Sequence, residues 1–312
     1  MCLRLKTVLE LFRNLRVTPR VIFISPSHPM KRKISNSSGF PTFKKQKMTT
    51  TKISLTARES QLRDLLLDVA RYIDESKEIK EKIELRFAGG WVRDKLLNIQ
   101  SHDVDTAINV MTGEDFGLKI KDYLDDAENL KKHSLEEKDR RKLHLIEANP
   151  EKSKHLATAT TNIFGFDVDF VNLRKEEYTD PNSRNPQMQF GTALEDAERR
   201  DATINALFYN LHSDLVEDFT GGLEDLEKRR IRTPLEPEKT FEDDPLRVLR
   251  LIRFASRLNF AIDPDAEKWM GDEKIKEALK VKISRERVGV ELEKMLKGRS
   301  SNSYVCRQTN KV

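Results

Sequence analysis

Two aspartates, Asp103 and Asp105, stand two apart in the segment Asp-Val-Asp-Thr-Ala-Ile. In an extended strand, residues i and i+2 share a face, so both carboxylates point the same way. Two like charges so close need a cation. Hard oxygen ligands at this spacing suit Mg²⁺, which binds one or two carboxylates together with substrate phosphates. Just upstream lies Phe-Ala-Gly89-Gly90-Trp-Val-Arg93-Asp94, whose glycines let the backbone turn tightly with its amides free for phosphate. A phosphate cradle beside a metal dyad is equipment for in-line displacement at phosphorus, with one ion activating a hydroxyl and a second stabilising the leaving oxygen. A Gly-Gly pair alone is ordinarily a turn, and a lone Asp-x-Asp a solvated loop. The order and spacing of the two together carry the reading.

Apolar periodicity supplies the elements that must hold these groups. Leu85 to Ala88 ends a strand, and Arg93 and Asp94 open a helix running through Leu96 and Leu97. Strands are expected near 85–88, 103–109, 155–162 and 166–173, and Leu62, Leu65, Leu66, Val69 and Ile73 mark a helix over 58–74. Residues 112–148 read as charge-rich and partly helical. Residues 176–198, with prolines, Asn and Ser, read as a flexible loop. From about 232 the pattern turns all-helical, with helices at 244–258, 264–270, 273–280 and 284–297.

Four further motifs follow in order. They are Arg199-Arg200-Asp201-Ala-Thr-Ile-Asn205-Ala-Leu-Phe; Glu217-Asp218-Phe-Thr-Gly221-Gly222-Leu-Glu-Asp225-Leu; Asp243-Asp244-Pro245-Leu-Arg247-Val-Leu-Arg250-Leu-Ile-Arg253-Phe; and Ile283-Ser284-Arg285-Glu286-Arg287-Val-Gly-Val-Glu291-Leu. Ile204, Leu207 and Phe208 suggest a helical stripe with Arg-Arg-Asp at its start. The paired glycines suggest a structural or hinge turn. Pro245 suits a first helical turn, and Asp244 and Arg247, three apart, suit one helical face. Ser284 suits a helix cap, which makes the last motif structural.

From about residue 58 to 298 this series resembles the class II tRNA nucleotidyltransferases, the CCA-adding enzymes of the polymerase-beta-like superfamily; bacterial-type poly(A) polymerases share the motifs. The resemblance implies an α+β fold: a nucleotidyltransferase head of mixed sheet and helices over 58–231, then an all-helical neck over 232–298. It implies addition of CCA to tRNA 3′ ends from CTP and ATP, with Mg²⁺, no nucleic-acid template and release of pyrophosphate. The alternatives are a related A-adding, CC-adding or poly(A) polymerase, or a truncated, non-catalytic isoform that binds nucleotide or RNA.

By the same resemblance Asp169 joins Asp103 and Asp105 as the third catalytic carboxylate, with Asp167 the other candidate on its strand. Arg200 and Asp201 take ribose and triphosphate. Gly89, Gly90, Arg93, Asp94, Asp244, Arg247, Arg250 and Arg253 complete the nucleotide-binding set. The segment between the third carboxylate and Arg-Arg-Asp helps the family move from C to A addition. Asp244 and Arg247 together match the pairing edges of cytosine and adenine, each offering an amino donor and a ring acceptor. Uracil and guanine would leave buried groups unpaired. Many family members carry Glu where this chain has Asp243.

Charge is divided unevenly along the 312 residues. Residues 1–58 hold 13 of the 57 basic residues and only one of the 52 acidic ones, so the remainder is net negative despite an overall +5. RNA binding must then rest on local arginine clusters. Residues 1–25, arginine-rich, nearly acid-free and amphipathic, resemble a mitochondrial presequence. Lys31-Arg32-Lys33 and Lys44-Lys45-Gln-Lys47 suggest a nuclear or nucleic-acid patch, with Met30 and Met48 as internal starts for nuclear and cytosolic forms. Residues 1–57 therefore read as a disordered targeting leader. The family's pattern stops at Gly298, and 299–312 read as a tail foreign to it. The two cysteines lie near the termini and form neither a disulfide framework nor a zinc site. No apolar run approaches the roughly 20 residues of a membrane span.

Overall fold

The computed structural model describes residues 51–136, 144–146, 158–179 and 185–297. Residues 1–50 of the leader, both internal starts and the terminal tail lie outside these residues. Residues 51–57, expected in the leader, belong instead to the folded head: the Thr51 carbonyl accepts the Val216 amide (3.0 Å), and Thr56 caps the first described helix.

The first described element, α1 (Ala57–Ser76), starts at a capping box in which Thr56 accepts from the Glu59 amide and Glu59 reaches back to the Thr56 amide. It ends at Lys77 in the left-handed conformation. The stripe Leu62, Leu65, Leu66, Val69 and Ile73 is buried, as its helical spacing requires.

The central sheet uses β1 (Leu85–Ala88), β2 (Asp103–Ile108), β3 (His144–Ile146), β4 (Thr158–Ile163), β5 (Phe166–Asn172), β8 (Leu207–Asn210) and β9 (Leu215–Asp218), in the order β3-β4-β5-β2-β1-β8-β9. It is mixed: β2 and β5 run parallel, and the other neighbours run antiparallel. The helix α2 (Gly90–Leu96) opens at Gly90, three residues earlier than expected, directly off the end of β1. Behind the sheet pack α3 (Gly113–Leu124), which approaches β5 so closely that a Cβ on Gly113 would fall inside the Phe170 carbonyl, and the short α4 (Ala127–Lys132). The sequence pattern did not signal β3.

Two expectations are corrected. The segment 176–198 is not a loop. It holds β6 (Arg174–Glu177) paired with β7 (Gln187–Phe190), then α5 (Ala193–Glu198) with its own Thr192–Glu195 capping box. The charge of β6 and the brevity of β7 and α5 hid them. Residues 180–184 of that segment lie outside the described residues. Nor do Ile204, Leu207 and Phe208 form a helical stripe: Thr203–Asn205 is a single 3-10 turn, and Leu207 begins β8. All four residues of β8 are buried, and a strand covered on both faces shows no alternation to distinguish it from helix.

Beyond the sheet come α6 (Gly222–Glu227), β10 (Arg230–Ile231), α7 (Pro237–Asp243), α8 (Leu246–Leu258), β11 (Ala261–Ile262), α9 (Pro264–Met270), α10 (Glu273–Lys282) and α11 (Arg285–Leu296). The region after 232 is helical except for β11, two residues that pair in parallel with β10. The helix α7 was also unexpected. The core runs without a break from Leu62 on α1 to Met295 on α11, so sheet and helices share one apolar interior. The glycine motif earns its structural reading here. The Asp218 carboxylate accepts the amides of Thr220, Gly221, Gly222 and Leu223. Fully buried Asp225 gathers Thr203 Oγ1, Arg230 and Arg232.

Candidate active site

At the end of β1 the chain turns through Gly89 at φ +65°, a conformation that L side chains rarely adopt. A Cβ there would also lie 2.7 Å from Arg200 Nη1 and 3.3 Å from the Asn205 carbonyl. Glycine is thus required both by the backbone and by the guanidinium passing over it. Gly90 starts α2 beside this turn, and both glycines border a cavity of about 710 Å³.

Among the described residues, eight arginines line that cavity (Arg93, Arg174, Arg199, Arg200, Arg247, Arg250, Arg253 and Arg287) against four carboxylates, Asp105, Glu176, Asp201 and Asp244. The excess of positive charge in a concave site favours a polyanion. Most of the arginines are fixed by protein acceptors. Arg93 donates to Asp94 (2.8 Å) and to Asn205 Oδ1. Arg200 donates to Asp196 (3.0 Å) and to the Asn205 carbonyl (3.1 Å), and lies over the Phe208 ring. Arg199 meets Asp196 (2.7 Å) and Glu176 (3.1 Å). Arg250 Nε lies 2.5 Å from Asp201 Oδ2, and Arg253 Nε lies 2.7 Å from Glu291 Oε2. Arg93, Arg250 and Arg253 also converge on the ring of Phe254.

Two buried acids organise this array. Burial pushes the Asp201 carboxyl up, but Arg250 outweighs it and, with the hydrogen bond from Asn205, holds the group down to about 2. At Asp196, only 1 % exposed, burial is likewise overcome by Arg200 and Arg199, and the carboxyl stays below its ordinary value. Neighbours alone place the Tyr178 hydroxyl, which donates to Glu176 (3.0 Å); burial raises its pKa.

The two aspartates of β2 project from one face, alternating with buried Val104. The parallel register sets Asp103 opposite Asp167 and Asp105 opposite Asp169, so four carboxylates form two ranks on that face. Asp167 accepts from Asn162 Nδ2 at 2.7 Å. Asp105 borders the cavity, with water on one side and protein around the rest. Burial pushes its carboxyl above the ordinary range, Arg200 pulls it back, and Asp103 pushes it up again. Among the described residues no three His, Cys, Asp or Glu side chains form a ready-made metal cage. An open pair of carboxylates beside an arginine-lined cavity suits a hard divalent cation that takes the rest of its shell from water and ligand oxygens.

Asp244 and Arg247 border the same cavity, but not as neighbours on one helical face. Asp244 precedes α8 in extended conformation, and Pro245 occupies the N-cap instead of the first turn. Asp244 Oδ1 accepts the Leu246 amide (3.1 Å) and its carbonyl accepts the Arg247 amide (3.0 Å). A proline that cannot donate, followed by a capped turn, is what swings the carboxylate off the helix. Arg247 Nη2 donates to the Arg199 carbonyl (2.7 Å), with Tyr178 Oη at 3.3 Å and Glu176 Oε2 at 3.5 Å.

The structure thus brings Gly89, Gly90, Arg93, Asp105, Arg200, Asp201, Asp244, Arg247, Arg250 and Arg253 to one cavity. Asp94 stands behind Arg93, buried as its partner and outside the lining. Asp103 and Asp169 lie beside the lining, on the face that Asp105 shares. Sequence reasoning passed over Arg174, Glu176, Tyr178 and Asp196. The Thr192-Ala-Leu-Glu195 capping pattern was the available signal: it starts a helix that carries Asp196 one turn before Arg199 and Arg200.

Residues 85–232 match the model of the poly A polymerase head domain. The nucleotidyltransferase lcsQ of Purpureocillium lilacinum is 61 % identical over 246 residues, covering 79 % of this chain and 41 % of that protein. The mitochondrial CCA tRNA nucleotidyltransferase of Saccharomyces cerevisiae is 54 % identical over 253 residues, covering 80 % of this chain and 45 % of its own length. The chain therefore spans less than half the length of these relatives. Among solved structures, a CCA-adding enzyme in its apo form II superposes with a TM-score of 0.63 at 26 % identity, over 80 % of this chain and 53 % of that one. The head with its mixed sheet, the helices that follow and these likenesses together make the chain similar to the class II tRNA nucleotidyltransferases over the part that it shares with them.

Proposed function

We propose that this chain is an RNA nucleotidyltransferase that adds CCA to tRNA 3′ ends from CTP and ATP. The observation that carries the reading is the meeting of Asp244 and Arg247 with Asp105 in one arginine-lined cavity. One wall can read a base while another grips phosphate and faces the reacting phosphorus.

Asp103 and Asp105, with Asp169 on the adjoining strand, would hold Mg²⁺. When bound, the ion supplies Lewis-acid activation of the primer hydroxyl and neutralises charge on the leaving pyrophosphate. Arg93 and Arg200, pinned at Asn205 and Asp196, bind the triphosphate without having to be reordered at each turnover. The Asp244 carboxylate accepts the exocyclic amine of cytosine or adenine, and Arg247 donates to the neighbouring ring nitrogen. UTP and GTP present a carbonyl and an N–H there, leaving buried groups unpaired, so they are refused. The Glu176 and Tyr178 contacts hold Arg247 square to that edge.

The relatives named as mitochondrial support an organellar site of action, with the basic first 57 residues as the address. The test is incubation of the full chain with Mg²⁺, a tRNA lacking its 3′ end and each labelled nucleoside triphosphate in turn, with products resolved to single nucleotides. Stepwise addition of two C and one A, abolished in Asp105→Ala, is the expected result. A homopolymer of A would reassign the chain as a poly(A) polymerase, addition of only C or only A would reassign it to one part of the reaction, and Mg²⁺-dependent binding of CTP without incorporation would make it a binding protein.

A further inference from the structure

The last motif, Ser284 to Leu292, carries a residue that its structural reading does not use. Ser284 does cap α11, accepting the Arg287 amide, and Glu291, only 3 % exposed, does tie α11 to α8 through Arg253. Arg287 does neither. Its side chain borders the cavity, and among the described residues its guanidinium has no hydrogen bond or ion pair, whereas the other arginines of the lining are held by carboxylates or carbonyls. Arg287 and Glu291 are four apart and share a helical face. Such a pair commonly bonds within the helix, but here the Glu291 carboxylate is committed to Arg253. That ion pair, together with Met295 in the core and Val288 and Leu292 packed against it, seats α11, and Arg287 borders the cavity. A planar cation with several donors, exposed at the mouth of a cavity already net positive, is matched to phosphate oxygens.

We infer that Arg287 is a ligand-binding residue that takes a phosphate group at the cavity mouth, where the seating of α11 holds it. Two phosphates could occupy it: the outer part of the nucleoside triphosphate, or the phosphodiester backbone of the RNA primer. This rests on the nucleotidyltransferase reading above, and the measurements separate the two.

Direct titration of the full chain by calorimetry, with CTP alone and then with a tRNA lacking its 3′ end alone, needs no turnover. Arg287→Ala should weaken one ligand by about tenfold, the loss expected for one charge-assisted contact. Weakened CTP with unchanged RNA assigns the triphosphate, and the converse assigns the primer backbone. Arg287→Lys should restore part of the loss, since it keeps the charge without the planar fork. Arg285→Ala, at an exposed position outside the lining, should leave both affinities as they are. If the unaltered chain binds both ligands and Arg287→Ala binds each equally well, the inference is overturned and the nucleotidyltransferase reading stands. If the unaltered chain binds neither, both fall together.

Discussion

Replacing Asp201 by Asn removes one charge from the junction of sheet and helices, and the cost can be worked out from its surroundings. The carboxylate is 7 % exposed, sits 2.5 Å from Arg250 Nε and accepts from Asn205 Nδ2 at 3.2 Å. Its pKa is held at about 2 against an ordinary 3.8. A lowering of nearly two units at ~1.36 kcal/mol per unit corresponds to stability on the order of 2 kcal/mol. The unfolded carboxyl protonates near 3.8 and the folded one near 2, so this contribution is complete above pH 3.8 and disappears as pH falls toward 2. Asn keeps the shape and one hydrogen bond but leaves Arg250 uncompensated. That side chain is 37 % exposed, so water screens part of its charge and the net loss at pH 7 should be about 2 kcal/mol. Urea unfolding of the two proteins, followed by circular dichroism, measures it. Combining Asp201→Asn with Arg250→Gln should cost less than the sum of the single changes by about 1 kcal/mol or more. The gap between wild type and Asp201→Asn should be constant above about pH 5 and close below about pH 4. A variant within ~0.5 kcal/mol of wild type at pH 7, or a gap that persists unchanged into acid, would refute the assignment of this pair as a net stabilising contact.

Other perturbations test other parts of the site. Gly89→Ala combines an unfavourable φ with a 2.7 Å approach to Arg200, so nucleotide affinity should fall about tenfold or more while the Tm drops by only a few degrees, about 1–2 kcal/mol of strain, read by titration and melting. Asp196→Asn releases Arg199 and Arg200 together. The expected outcome is a rise in KM for CTP of about tenfold with little change in KM for RNA, and equal effects on both would contradict it. His133 is buried between Tyr123 and Asp68, and burial holds its pKa below the usual 6.5. The unfolded chain therefore takes up a proton there first, and stability, complete above about pH 6.5, declines as pH falls through the lower folded value. His133→Gln should flatten that part of the pH profile in urea melts.

Much of the site was legible in the chain because its chemistry is local. Asp103 and Asp105 on a strand, or Gly89 and Gly90 at a strand's end, need only the two-residue period and a turn to declare themselves. Long amphipathic elements such as α1 and α8 were equally plain. What stayed hidden depends on partners distant in sequence. β8 looked helical because burial on both faces erases the strand period. The strand β6 is so charged that only the contacts of Glu176 with Arg199 and Arg247 explain its position, and its partner β7 is a short, polar Gln-Met-Gln-Phe. The service of Asp196 to two arginines, and the freedom of Arg287, emerge only once α5 and α11 are packed. Asp244 was expected on the helical face of Arg247, but α8 starts only after its N-cap Pro245, which leaves Asp244 outside the helix.

Arg247, Arg250 and Arg253 project from successive turns of one rod, and each is moored to a different part of the protein: a backbone carbonyl, a buried acid before β8, and an acid on α11. A rotation of α8 that re-aims the first for a different base must therefore drag the other two across their moorings. Selectivity and grip are geared together. Substitutions that change which nucleotide is accepted should seldom leave its triphosphate held as before, and evolving a new preference along this helix requires at least one second change that lets the rod turn without losing its hold.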